Sequence, residues 1–388
     1  EKRKPRNRII ALMPIAIVIG IIIISGYALK SSQRSLTDTI SSAFNPEVTS
    51  NRIRIQMWER SLQMYADNPI LGVGAGNWKI EVAAYGAVGP EYMVEKRFFQ
   101  RPHNDYLWVL SEKGPAALLA YLAIFAIAIV YGLRIIKNRS TGEEHGRLFA
   151  LCMTAGVLIY LVDSFFSFPM ERILNLIFIN LILGALFAVY STSIGDEKGP
   201  GYGKLVFLVL IVLLPVFAFS AIIGAVRLDS EIHTKLANAE RARGNWSGVI
   251  RLIDRAESAL VNLDPTGTPL AWYSGESHFM LGRYNSAFFD YLRAYEHNPN
   301  HIHVLNNLAT TYEMRGNHNR AIELYERAIA IHEDFDEAYI NLAAAYYNAG
   351  MYRKADESLS KVDDDFEDER KAVYRQKIDE KLKSMQIR

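Results

Sequence analysis

Residues 308–329 read LATTYEMRGNHNRAIELYERAI, two helix-forming stretches broken at Gly316-Asn317, and their landmarks recur through the C-terminal half. Gly282, Gly316 and Gly350 are spaced 34 apart, as are Ala287, Ala321 and Ala355. Tyr291 and Tyr325 repeat likewise, and so do Ala294 and Ala328. A fixed period of this length marks one supersecondary unit that buries its apolar face against the next copy. Glycine suits the turn between two helices, and the small residues suit the place where they cross tightly. The expectation for 227–388 is an all-α solenoid.

The pattern resembles the tetratricopeptide consensus. Units fall at 268–301, 302–335 and 336–369, with a degenerate one near 230–265 where Gly244-Asn245-Trp246 mimics the inter-helix turn. The resemblance implies a concave groove for a peptide or protein partner. A spacer or a dimerisation surface is the bland alternative.

Upstream the composition changes. From 227 onward Lys+Arg number 21 against 26 Asp+Glu, a net of −5, whereas positions 1–226 carry 22 against 16, a net of +6. There is no basic stripe with interleaved aromatics, so nucleic acid is not an expected partner. The single cysteine, Cys152, excludes an internal disulfide and says nothing of compartment.

Some apolar runs are long enough to cross a hydrocarbon core of roughly 30 Å. They lie at 9–29, 116–136, 148–168, 173–190 and 205–226. The first could be a secretory signal behind EKRKPRNR, but it is too long and lacks a small-x-small cleavage site. Spans three and four are joined only by Pro169-Met170-Glu171-Arg172, a tight hairpin. Residues 1–226 are therefore expected to form a multi-span transmembrane bundle in contact with membrane lipids.

Orientation follows from the short basic loops. Lys2, Arg3, Lys4, Arg6 and Arg8 precede span one; Arg134, Lys137, Arg139 and Arg147 flank the turn between spans two and three; Lys198 and Lys204 lie between spans four and five. Alternation through five spans puts all three groups on the cytoplasmic side. Loop 30–115 and the repeats then lie outside the cytoplasm. Intramembrane acids mark transport paths, but Asp163 is the only one well inside a span, so a transporter is weakly supported.

A connection as long as 30–115 between two spans is expected to carry function. Ile55, Trp58, Leu62 and Tyr65 follow a helical spacing that Asn68-Pro69 ends, predicting an amphipathic helix over 51–67. Arg54 and Trp58 share one face, and Arg52 sits at the start. Gly72-Val73-Gly74-Ala75-Gly76 is no phosphate loop, because no Lys-Ser/Thr follows and no βαβ unit surrounds it; a tight turn is expected. Then come Arg101-Pro102-His103-Asn104-Asp105-Tyr106-Leu107, Glu112 and Gly114-Pro115. Asn104 or Asp105 can cap the following helix, which leaves His103 just ahead of a helix N-terminus. The macrodipole there favours a neutral imidazole competent as a base, and free N–H groups suit an anion. By itself a loop histidine is more often a surface residue than a catalyst, and sequence spacing does not overturn that.

Arg54-x-x-x-Trp58, Asn68-Pro69-Ile70-Leu71-Gly72-Val73-Gly74, and Pro102-His103-Asn104-x-x-Leu107 with Glu112 resemble the O-antigen ligase and polymerase superfamily, which includes bacterial protein O-oligosaccharyltransferases. The likeness spans roughly residues 1–190. It implies an enzyme of the bacterial cytoplasmic membrane that transfers a glycan from an undecaprenyl-pyrophosphate carrier to an acceptor hydroxyl on the outer face, without cofactor or metal. It further implies His103 as base or acceptor-orienting group, Arg52 or Arg54 as pyrophosphate ligand with Arg101 a weaker candidate, and Asn104, Glu112 and Trp58 as support. Members usually have about a dozen spans with this loop late in the chain, so the five here, with Glu1 in place of a Met, are expected to close a larger bundle. The competing expectation is a non-enzymatic scaffold whose repeats recruit envelope proteins.

Overall fold

The computed structural model describes residues 49–86, 99–138, 144–193 and 203–386. The span expected at 9–29, its basic flank, Arg139 and Lys198 lie outside the described residues. Everything described is helix, turn or loop, apart from two isolated bridges at Ser258–Val261 and Leu263–Pro269. Contacts divide it into two compact units. One holds the described residues of 49–59, 102–110 and 114–193; the other holds those of 60–86, 99–101, 111–113 and 203–386.

Helix α1 is Thr49–Asp67 and ends as expected, with Asn68 donating its N–H to the Met64 carbonyl. The stripe that meets protein is not the one that Ile55, Trp58, Leu62 and Tyr65 mark. Ile53, Met57, Ser61 and Met64 are buried, Trp58 is half-buried, and Ile55 and Leu62 are exposed. The helix has two apolar stripes, and period alone cannot tell the face that meets protein from the one that does not.

In the first unit the long helix α3 (Asp105–Lys137), α4 (Glu144–Phe166) and α5 (Ile173–Ser193) pack around Phe125, Ile135, Val157, Tyr160, Ile179 and Leu186. The short helix α2 (Trp78–Glu81) precedes them in the chain and belongs to the second unit. A Cβ on Gly132 would lie 1.9 Å from Thr154 Oγ1. Helices α3 and α4 therefore cross at a residue that must stay small. Tyr131 stacks on Tyr190 at 3.9 Å, and Arg134 donates to the Tyr190 hydroxyl at 2.8 Å. Many large apolar side chains on these helices, Leu119, Ile127, Ile159 and Phe178 among them, face away from protein. Four helices among the described residues are long and apolar enough to cross a membrane: Asp105–Lys137, Glu144–Phe166, Ile173–Thr192 and Phe207–Ala242. Such exposed apolar surface is stable only against lipid.

The fourth of these belongs to the second unit, as part of α6 (Gly203–Ala242), a single helix of 40 residues. It is apolar through Val226, turns charged from Arg227, and then pairs with α7 (Trp246–Ala256) across Gly244 at φ +72°. The helical pairs α8 (Leu270–Met280) with α9 (Tyr284–His297), α10 (Ile302–Met314) with α11 (His318–Ile331), and α12 (Asp336–Asn348) with α13 (Tyr352–Leu359) follow, and α14 (Glu369–Gln386) is the last described helix. Gly282, Gly316 and Gly350 take the left-handed φ that the turns need, +72°, +75° and +76°. Glycine reaches that region at no steric cost. Ala287, Ala321, Ala355, Ala294 and Ala328 are fully buried, and Tyr291 and Tyr325 nearly so. The 34-residue spacing therefore reflects equivalent packing sites. A Cβ on Gly275 would sit 2.7 Å from the Tyr291 ring, where α8 and α9 touch.

Candidate active site

The segment around His103 is held by its backbone. Asn104, in extended conformation and buried, accepts the Leu107 N–H at 3.0 Å and so caps α3; Asp105 is the first helical residue. An N-cap of this kind satisfies one of the donors that a helix start leaves open. The Asp105 carboxylate accepts the Met170 N–H at 3.0 Å, tying the Pro169–Glu171 hairpin to the start of α3. On the other side, the Trp58 indole donates to the Pro102 carbonyl at 2.9 Å. Between these anchors His103 has φ +55°, the one positive φ outside glycine among the described residues. Non-glycine residues in this region cost free energy and persist where surrounding contacts fix them.

Aromatic rings line this part of the first unit. The His103 imidazole meets Phe168 edge-on at 4.9 Å, and Arg172 lies over the same Phe168 ring at 4.8 Å. Trp58 meets Phe165 edge-on at 5.3 Å, and the Tyr106 hydroxyl donates to the Leu161 carbonyl at 2.6 Å. Arg54 precedes Trp58 by one turn and is half-buried, whereas Arg52 is exposed. At about 100° per residue, Arg54 lies within ~40° of Trp58 around α1 and Arg52 roughly 120° away. Trp58 thus brings the Arg54 face of α1 to the strand of chain that carries His103.

Glu112 and Arg101 fall in the second unit. Gly114 leaves helical geometry at φ 76° and ψ 179°, so α3 breaks there. Pro115, lacking an N–H, has nothing to give the Ser111 carbonyl. Val73 N–H donates to the Ser111 carbonyl and Gly74 N–H to the Glu112 carbonyl, both at 2.9 Å. The glycine-rich turn therefore fills the carbonyls that the helix break frees. Gly72 allows this approach: its φ is +65°, and a Cβ would lie 2.4–2.6 Å from backbone atoms of Ser111, Glu112 and Lys113. The buried Glu112 carboxylate accepts the Trp78 N–H at 3.0 Å, and the fully buried Trp78 indole donates to Ser61 Oγ at 2.9 Å. Glu112 is a brace for the 78–85 segment. Arg101 donates to its neighbour Gln100 at 3.1 Å.

That segment is fastened to the repeats. Lys79 Nζ donates to the carbonyls of Asp264 (3.4 Å) and Pro265 (3.2 Å), Asn300 Nδ2 donates to the Ile80 carbonyl at 3.2 Å, and Ala83 packs on the solenoid core. Burial, reinforced by Arg227, holds the Lys79 ammonium below its ordinary pKa. Trp78, Lys79 and Phe168 do not stand out in the sequence. Trp78 and Ser61 are 17 positions apart, and Trp78 and Glu112 are 34 apart, beyond any local pattern.

Residues 2–122 match the O-Antigen ligase family, and residues 268–334 and 313–376 match two Tetratricopeptide repeat families. No curated protein matches the chain significantly. Among solved structures, "Crystal structure of MamA" is 22% identical with TM-score 0.32, covering 42% of this chain and 87% of that one. "First TPR of Spaghetti (RPAP3) bound to HSP90 peptide SRMEEVD" is 19% identical with TM-score 0.29, covering 31% and 98%. "MamA 41-end from Desulfovibrio magneticus RS-1" is 19% identical with TM-score 0.31, covering 34% and 73%.

Proposed function

We propose that this membrane protein, which carries an O-antigen ligase domain in its N-terminal region followed by tetratricopeptide repeats, transfers a glycan from an undecaprenyl-pyrophosphate carrier to an acceptor hydroxyl on the outer face of the bacterial cytoplasmic membrane. The family match points to a glycosyltransferase-like membrane enzyme, and the repeats to a protein partner. Carrier, acceptor side and residue roles are our reading.

One observation carries it: His103 is held in a strained left-handed conformation between the Trp58–Pro102 hydrogen bond and the Asn104 cap. Strain maintained by several anchors is a mark of a functional position. In the transfer, His103 takes the proton of the acceptor hydroxyl as its oxygen bonds to the sugar's anomeric carbon. The anomeric C–O bond breaks, and the lipid pyrophosphate leaves with the electron pair. A guanidinium offsets the charge that develops on that leaving group through bidentate hydrogen bonds. Of the two candidate arginines on α1, Arg52 and Arg54, Arg54 shares the Trp58 face and is the one we assign; Arg52 and Arg101 are secondary. Asn104 and Glu112 act as braces. No metal or cofactor enters this scheme.

The test is glycan transfer from a lipid-linked donor by the full-length protein in membranes. His103→Ala is expected to lower transfer ~10²–10⁴-fold, the usual worth of a positioned base. Arg54→Ala is expected to fall further than Arg52→Ala at equal expression. Wild-type transfer by His103→Ala would overturn the assignment.

A further inference from the structure

The second unit contains a cleft of about 530 Å³ with no part in the transfer chemistry. Its walls come from α8, α10 and α12, the first helices of three successive repeats, together with the last turn of α6 and the loop before α8. Gln100, three positions before His103 in the chain, lies on its rim.

The lining disfavours two kinds of occupant. Arg241 is its one cation among the described residues, and Glu276 already engages that guanidinium through two hydrogen bonds, one at 2.6 Å. His301 is buried and stays uncharged near neutral pH, its pKa pushed down to about 3 by burial. Neither Arg241 nor His301 thus offers a carboxylate or phosphate a spare positive charge. Nor does the lining include any Leu, Ile, Val or Met to take the apolar anchors of a helical peptide.

What the cleft does offer is rings and planar polar groups. Trp272 lies 6.2 Å from His303 and 6.4 Å from His301 between ring centres. The Trp272 indole N–H is buried and has no acceptor among the described residues. Such a state costs free energy unless a ligand or water meets it. Asn307 and Glu337 add an amide and a carboxylate. A pyranose presents adjacent hydroxyls that pair with planar amides and carboxylates, and a C–H face that packs on a ring such as the half-buried His303 imidazole; Trp272 is itself buried, with Arg241 over its ring at 5.2 Å. We propose that this cleft binds a neutral saccharide unit, giving the protein a glycan site on its repeats. Its occupant would touch Gln100, on the segment that runs directly into His103.

The experiment uses the full-length protein in nanodiscs, titrated with neutral hexose and N-acetylhexosamine oligosaccharides of two to six units. Binding is read by saturation-transfer NMR and tryptophan fluorescence. We expect saturable binding that Asn307→Ala and Glu337→Gln each weaken about fivefold or more, the worth of roughly one hydrogen bond, with unchanged thermal midpoints. His103→Ala should bind like the unaltered protein, so loss of transfer and loss of binding are separate results. No saturable binding across the panel would overturn the proposal. So would binding that neither substitution weakens, or displacement of the sugars by an acidic or apolar peptide at the same residues.

Discussion

Gly72→Ala tests whether the glycine turn is a structural lock on the break in α3. A Cβ at Gly72 would fall 2.4–2.6 Å from three backbone atoms that have no rotamer to change, so the turn must retreat. Retreat breaks the Val73–Ser111 and Gly74–Glu112 hydrogen bonds, both 2.9 Å, and strands two carbonyls of buried residues, one of which Pro115 already deprives of a helical partner. Each stranded group costs about 1–3 kcal/mol. The left-handed φ of +65° adds about 1–2 kcal/mol for alanine. The total is about 3–8 kcal/mol. Gly76→Ala is the control, because its φ is +83° but nothing lies within 4 Å. There only the conformational cost of about 1–2 kcal/mol applies. At about 2–4 °C per kcal/mol for a unit of this size, Gly72→Ala should melt at least about 4 °C below Gly76→Ala. The assay is intrinsic tryptophan fluorescence during thermal unfolding in detergent, with the buried Trp78 as a native reporter. Equal midpoints for the two variants would refute the idea that the turn closes onto backbone.

Three other perturbations have definite outcomes. Trp58→Phe keeps the ring beside Phe165 but removes the donor to Pro102, so transfer should fall about fivefold to tenfold, ~1–1.4 kcal/mol, with little change in melting; unchanged transfer would remove Trp58 from the positioning of His103. His301 has a folded pKa near 3 against an ordinary value of 6.5. The unfolded chain therefore binds the extra proton between those values, and stability should drop by up to about 1.4 kcal/mol per pH unit as pH falls from about 6 to about 4; His301→Asn should flatten that part of a melting-versus-pH curve. Gly275→Ala pushes a methyl into the Tyr291 ring and should destabilise the repeats by about 1–3 kcal/mol, read by proteolysis of the repeat region.

The repeats were legible because their signal is periodic: Gly282, Gly316 and Gly350 mark turns, and the alanines between them mark crossings, at one spacing. The four described spans were legible because lipid demands length and apolarity, both visible locally. The loop revealed its helix but not its buried side, since Ile55 and Leu62 are as apolar as Ile53 and Met57 and only packing chooses between them. Its glycines read as a turn, yet their partner was hidden. The carbonyls they meet are freed by Gly114-Pro115, far along the chain, and no local pattern links the two. The same distance hid Trp78 behind Glu112, and hid Lys79 behind the Pro265 carbonyl, 186 positions on.

Helix α6 passes from its apolar stretch into the first turns of the repeat region without a linker. It is both a ruler and an axle. Its 40 residues, at about 1.5 Å each, make a rod of about 60 Å, and each added residue turns the downstream chain by about 100°. Two residues inserted after Val226 would turn the repeats by about 200° relative to the apolar stretch of α6, with a rise of only ~3 Å. Seven inserted residues nearly restore the bearing but lift the array by ~10 Å. Azimuth and height can thus be varied separately in one series of insertions, which makes the reach of the repeats a measurable dimension.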